Sequence, residues 1–462
     1  GNTATGDIDG HISVETTTGA ITMTSGGGTT GFSQIGHGGS DNPGAQDGDV
    51  CVISATDILL DADNATSDDS YVQIGNGGVD TAGNKTGFVT ALARNGDITL
   101  NAGNAAGRHA QIGHGGTGTG AANMAGSVSV VALGSGNIAI NGGTNAEGYG
   151  MIGHGDGEAT TTGTRTGGLN VYGAGNVTMT DGTNGNALIS HQTGNGIGSV
   201  ALTGSGIQAA GDQGYSVTAG GNIDFSDSQL SGPGPVLSLG DMLGVAAGLG
   251  DVSIAAGGNL DLSGPGGTTY YSSANDVNFV AGGNLLLGFG MQNQAGGDIN
   301  LVAGYDYAGT GTTLTPDTTS GTFPALGTEC LPDFNPPAFT FPGDCDDFGA
   351  SNQGTITLGT SAQTAIVAMG SRQGNTRALA HGMTVNASDS TNLAATQLGY
   401  YGDGTGSMTG EIDVHLHEGG LTMNSGDAND AYTQIGHGGT GSTAASQGTG
   451  GNNAHITVAF CE

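Results

Sequence analysis

The chain has 462 residues, with 96 Gly, no Trp, 5% aromatic and 10% charged residues. So few large side chains exclude a row of ordinary globular domains, in which about 25% of residues are charged. Six Lys+Arg against 40 Asp+Glu, a net charge of −34, exclude nucleic acid and anionic membrane surfaces as partners, because neutralising phosphate needs clustered basic side chains.

Apolar residues make up 35% of the chain and the charge is spread thinly over 462 positions, which argues against disorder. No apolar run reaches the roughly 18 residues that span a bilayer. The first residue is Gly, which fits either a processed protein or a piece of a longer one. Four cysteines, Cys51, Cys330, Cys345 and Cys461, fit an oxidising, extracellular or cell-surface location.

From the start of the chain, short alternating strands are separated by Gly/Asn corners. Gly6-Asp7-Ile8 and Ile21-Thr22-Met23 lead to Gln34-Ile35-Gly36-His37-Gly38-Gly39. The last motif recurs at 111–116 and 434–439, with variants at Gln73–Gly78 and Met151–Asp156 and a decayed copy at Leu188–His191. Its central Ile residues, 35, 74, 112, 152 and 189, are 39, 38, 40 and 37 residues apart. Between the copies lie strands such as Gly96-Asp97-Ile98-Thr99-Leu100. A period of two puts Ile98 and Leu100 on one face and Thr99 on the other. Strands this short are not stable as isolated hairpins. Stacked as coils, they bury a continuous apolar interior. The expected fold is therefore all-β: a right-handed parallel β-helix, or β-solenoid. The ~39-residue repeat is read as about two coils of 19–20 residues, giving about 21 coils and a rod on the order of 100 Å at one strand spacing per coil.

Four regions follow. Residues 1–200 carry the Ile-Gly-His-Gly repeats. Residues 201–304 continue the solenoid with starters such as Gly257-Gly258-Asn259-Leu260-Asp261-Leu262. Residues 305–350 are a Pro-rich, Cys-containing excursion, since proline cannot donate to a ladder. Its Cys330 and Cys345 are expected to pair, closing a short loop worth ~3 kcal/mol. Residues 351–462 resume the solenoid and return to Gln434–Gly439. Neither end reads as a polar cap. Open strand edges are templates for another copy, and head-to-tail contacts that do not close give fibres.

Gly257–Leu262 and Asn95-Gly96-Asp97-Ile98-Thr99-Leu100-Asn101-Ala102-Gly103 resemble the repeats of filamentous-haemagglutinin-type exoproteins and of β-strand-repeat adhesins of Gram-negative bacteria. The resemblance implies a secreted right-handed β-helix used in adhesion and biofilm. The Asn-Pro-rich secretion motifs of such proteins have no counterpart here; Asn335-Pro336-Pro337 is in the wrong place.

Candidate chemistry is sparse. His37, His114, His154, His191 and His437 share one motif position, with Asn76 as a substitute. On the two-coil reading they lie roughly 10 Å apart, twice the strand spacing, too far for a shared metal ion. Asn replaces a hydrogen-bonding corner residue better than a ligand, so a structural turn role is expected. Asp413, His415 and His417 alternate along one strand face as a candidate metal set. Asp61, Asp63, Asp68 and Asp69 form an acidic loop suited to calcium, the one candidate cofactor. Catalysis is not expected: there is no nucleophile elbow, P-loop or haem motif, and one Lys, five Arg and no Trp leave little for sugar subsites.

The sequence thus points to a structural, self-assembling protomer of an extracellular bacterial filament whose partners are copies of itself. The alternatives are an adhesin stalk that binds surface glycans, or a glycan-binding segment of a larger secreted protein. A polysaccharide-active β-helix enzyme is a third reading from another class.

Overall fold

The computed structural model describes residues 6–27, 31–63, 70–105, 107–116, 122–144, 148–156, 165–180, 182, 185, 187–189, 215–219, 223–224, 252–262, 269–272, 276–293, 297–307, 353–363, 366–389, 391, 394–401, 409–429, 431–438 and 455–461. They fall into two compact units, one ending at Ala219 and the other containing the described residues from Ile223 onward. Every described strand pairing in both units is parallel.

In the first unit each of the first four repeats contributes one strand to each of five sheets, and the fifth contributes to four of them among the described residues. The second repeat, for example, supplies Gln46–Asp47, Val50–Ser54, Ile58–Asp61, Val72–Ile74 and Gly77–Val79. Each strand lies beside its equivalent in the next repeat. Ile12 pairs with Val50, Val50 with Val89, Val89 with Val128 and Val128 with Leu169. The partners are 38, 39, 39 and 41 residues apart. A repeat is therefore a single wide turn with five short strands, which corrects the expectation of two coils per repeat. The reason is that the Gly-rich stretches, such as Gly77–Val79, also pair as strands, so the corners are more numerous and the circumference longer than three-stranded coils would give.

The alternating strands behave as their sequence dictates. Ile58, Leu60, Ile98, Leu100, Ile138 and Ile140 are fully buried, while Leu59, Thr99 and Ala139 are only half-buried. Successive turns superpose like on like, so Ile98 sits between Ile58 and Ile138. The Gly-Asp/Asn starters have a matching task at the corners. The Asp57 carboxylate accepts the Asp97 N–H at 2.9 Å, Asp97 accepts that of Asn137 at 2.7 Å, and the Asn137 amide oxygen accepts that of Asn176 at 2.8 Å. A polar side chain in one turn thus satisfies a corner N–H that no strand partner reaches.

The sheet of Val50–Ser54 is buried on both faces. Val50 and Val52 point to the interior stack, while Cys51, Ile53, Leu92, Val131 and Tyr172 form a second apolar cluster on the other side.

The second unit uses three sheets. One holds Val252–Ala256, Val277–Ala281, Ile299–Ala303, Thr376–Ala380, Ile412–His417 and Ile456–Cys461; another holds Ile223–Asp224, Leu260–Leu262, Leu285–Leu287, Thr355–Leu358, Gly382–Asn386 and Leu421–Asn424. The third holds Thr269–Ser272, Gly290–Asn293, Val367–Ser371, Thr396–Leu398 and Thr433–Ile435. Its early turns are shorter, with Val252 on Val277 and Val277 on Ile299. Ile299 then pairs with Thr376, and the Pro-rich stretch falls in sequence within that one turn, after Ile299–Ala303 and before Thr355–Leu358. Residues 308–350 of that stretch, with Cys330 and Cys345, lie outside the described residues.

Candidate functional site

The recurring Gln-Ile-Gly-His-Gly motif builds a ladder of side chains on the strand Ser33–Ile35 and its successors. The backbone N–H of Asn76 donates to His114 Nδ1 at 3.0 Å, and that of His114 donates to His154 Nδ1 at 3.0 Å. Because Nδ1 accepts, Nε2 carries the proton and donates across the interior to a corner carbonyl: Gly87 for His114 at 2.8 Å and Gly126 for His154 at 2.7 Å. Asn76 reproduces both halves, its Oδ1 accepting from His37 N at 3.0 Å and its Nδ2 donating to Gly48 O at 2.9 Å. In the second unit His437 accepts from Tyr400 N at 3.1 Å and bonds Gly410 O at 2.7 Å. Burial lowers the His437 pKa below the usual histidine value, against the smaller raising effect of the Gly410 bond.

The rings of His114 and His154 stack at 4.7 Å between centroids. The spacing of roughly 10 Å expected from two coils per repeat is thereby corrected: one turn separates the rings, so one strand spacing separates them. With both ring nitrogens engaged, His114, His154 and His437 have no lone pair to offer a metal. His191 lies outside the described residues.

The glutamine of the motif reaches forward. Gln73 Nε2 donates to Gly113 O and Gly115 O at 3.1 and 3.3 Å, and Gln111 Nε2 donates to Gly153 O and Gly155 O at 3.0 and 3.3 Å. These carbonyls are open to it because the turns touch with no side chain between them. At Gly77 (φ +136°) and Gly115 (φ +141°), a Cβ would fall 1.8 Å from Gly115 O and 1.6 Å from Gly155 O. A second column runs alongside: Phe32, Tyr71, His109 and Tyr149 stack at 5.0, 5.0 and 4.9 Å. His109 is fully buried, and burial pushes its pKa down to about 4. Reading the sequence for motifs missed this column, although the aromatic positions recur at the repeat spacing.

The first and the last described motifs leave some of these groups unused. In the first turn His37 is half-buried, and neither its Nδ1 nor the carbonyls of Gly36 and Gly38 take part in the contacts their counterparts make. In the last motif Gln434 Nε2 and His437 N have no acceptor, whereas their counterparts Gln397 Nε2 and Tyr400 N bond Gly436 O at 2.6 Å and His437 Nδ1 at 3.1 Å. Ile456, Val458 and Phe460 pair with Ile412, Val414 and Leu416. The latter three are fully buried, but the former are 51, 37 and 59% exposed.

Asp413 and His415 are half-buried on the strand Ile412–His417. Among the described residues, His417 shares its ligand-atom cluster with His381 and Glu418 instead: the candidate atoms of these three all lie within 4.8 Å of one another. Asp61 and Asp63 belong to no such group of the described residues; the Asp61 carboxylate accepts the Asp63 N–H at 3.1 Å. Asp68 and Asp69 lie outside the described residues. Cys51 is disulfide-bonded and almost fully buried. No family model, no curated protein and no solved structure matches this chain.

Proposed function

We propose that the chain is a structural protomer of an extracellular bacterial filament, built by head-to-tail stacking of right-handed β-solenoid ends. One observation carries the reading: each described strand lies parallel and in register beside its equivalent one repeat on, as Val50 beside Val89 and Val89 beside Val128, so a strand from a second copy can extend the same ladders. An unpaired strand edge is a template for another strand. In the proposed contact Ile12–Glu15 of one copy, the first described strand of its sheet, adds to Ile456–Cys461 of another, the last described strand of the same sheet. The contact joins two different surfaces, so it propagates without closing. Right-handed winding follows the general preference of parallel crossovers. The four cysteines and the scarcity of Lys and Arg support an extracellular setting.

Electron microscopy of the natively produced protein tests the reading. Long unbranched fibres with a ~4.8 Å axial repeat, the strand spacing, are expected. Discrete rods that stay separate at all concentrations would overturn it and favour the adhesin-stalk reading.

A further inference from the structure

We propose that the corner formed by His381, His417 and Glu418 binds a divalent transition-metal ion of the Zn2+ class, through two imidazole nitrogens and one carboxylate oxygen. The proposal goes beyond filament assembly and stands on different residues.

The solenoid itself brings the ligands together. His381 directly follows the strand Thr376–Ala380, and His417 ends the strand Ile412–His417. Ala380 pairs with Leu416, so the next residue of each strand occupies the same corner in successive turns, about one strand spacing of 4.7–4.9 Å apart. From this corner both chains turn into the next sheet, at Gly382–Asn386 and Leu421–Asn424. Glu418 has φ +59°, a left-handed conformation that is uncommon outside glycine. It places the carboxylate within 4.8 Å of both rings.

The backbone around the corner is fixed. His381 N donates to Gly354 O at 2.9 Å, Gly419 N to His417 O at 2.7 Å, and Met383 N to Gly420 O at 3.0 Å. Gly419 is pressed so closely on the preceding turn that a Cβ there would lie 2.0 Å from His381 O. The three ligands thus project from a rigid frame, two of them half-buried and the carboxylate exposed.

The contrast with the motif histidines is the second observation. His114 and His154 use both ring nitrogens to satisfy backbone groups. Neither imidazole of this corner, nor the Glu418 carboxylate, makes a hydrogen bond or ion pair with any described residue. Two facing imidazoles with free lone pairs and a carboxylate make an N,N,O donor set.

That set selects the ion. Calcium takes six to eight oxygen ligands, and a site with two imidazoles suits zinc, cobalt, nickel or copper. Zn–N bonds of about 2.0–2.1 Å at tetrahedral angles require donors about 3.4 Å apart, so the donors, all within 4.8 Å of one another, must draw closer on binding. Three protein ligands leave the fourth position to water. A net charge of −34 favours cation accumulation at the surface.

The full chain, stripped with a chelator, would be titrated with Zn2+ and with Co2+. One saturable equivalent is expected, with the visible absorption of four-coordinate Co2+. His381→Ala and His417→Ala should each weaken it by about tenfold or more, since even outer-shell changes cost about 10–100-fold. His415→Ala, on the same strand, should leave it unchanged, and Ca2+ should not compete. Absence of saturable binding, or affinity in H381A and H417A unchanged from the native chain, overturns the proposal. The native chain gives a second readout that no variant can confound by misfolding. Zn2+ should protect His381 and His417, but not His415, from diethyl pyrocarbonate, and equal modification with and without the ion also overturns the proposal. Neither result depends on whether fibres form.

Discussion

The backbone N–H of His114 donates to Nδ1 of His154 at 3.0 Å while the two rings stack at 4.7 Å. One side chain therefore satisfies the backbone of the preceding turn, fills the space between turns and, through Nε2, pins a distant corner at Gly126 O. Asn76 shows that a carboxamide can do the polar part alone. His114→Asn should accordingly be mild. His114→Ala orphans the buried N–H of Asn76 and the carbonyl of Gly87, at about 1–3 kcal/mol for each unsatisfied group. Urea unfolding of the two variants checks the ordering; equal losses would mean that the ring contributes by bulk alone.

His109 gives the stability a pH dependence of known sign. Its pKa is lowered from 6.5 to about 4 by burial between Tyr71 and Tyr149. The unfolded chain therefore binds the proton more readily than the folded one, and stability falls as pH drops from 6.5 toward 4 and levels off below that. Thermal midpoints across this range should fall less steeply for His109→Phe, which keeps a stacking ring and cannot be protonated. Parallel slopes for the two proteins would show that His109 is not a source of the effect.

Gly115→Ala should be among the most damaging single-methyl changes, because the added carbon would lie 1.6 Å from Gly155 O and φ is +141°. Gly19→Ala meets nothing within 4 Å and should be neutral within about 0.5 kcal/mol, as surface changes usually are. Comparing their denaturation midpoints separates turn-to-turn contact from glycine's general flexibility.

Assembly should be separable from folding. Val458→Lys and Phe460→Lys put charge on the exposed last turn without touching a buried residue, and charged edges block strand addition. Fibres should disappear while the thermal midpoint of the monomer holds. Fibres that persist would place the contact elsewhere.

Much of the stack was legible in the sequence. Alternation fixed which of Ile98, Thr99 and Leu100 face inward, and the exchange of His for Asn at position 76 pointed to hydrogen bonding over ligation. The turn count was not legible, because a period gives the residues per repeat and not the corners per turn. Gly77–Val79 and Gly115–Gly116 pair as strands without any apolar alternation to mark them. The company of His417 was hidden for a related reason. Spacing along a strand suggested Asp413 and His415, but its neighbours come from the corner of the previous turn, which only the register between Ala380 and Leu416 reveals.

In-register stacking also makes length a modular property. Val50, Val89 and Val128 occupy one column, so deletion of residues 89–127 would set Val128 directly on Val50 with every face still inward. Loss of a single residue within a strand would turn that strand's apolar side out. A gene of this kind can lengthen or shorten by whole repeats through unequal recombination and still encode a folded product, whereas small insertions survive only at the corners.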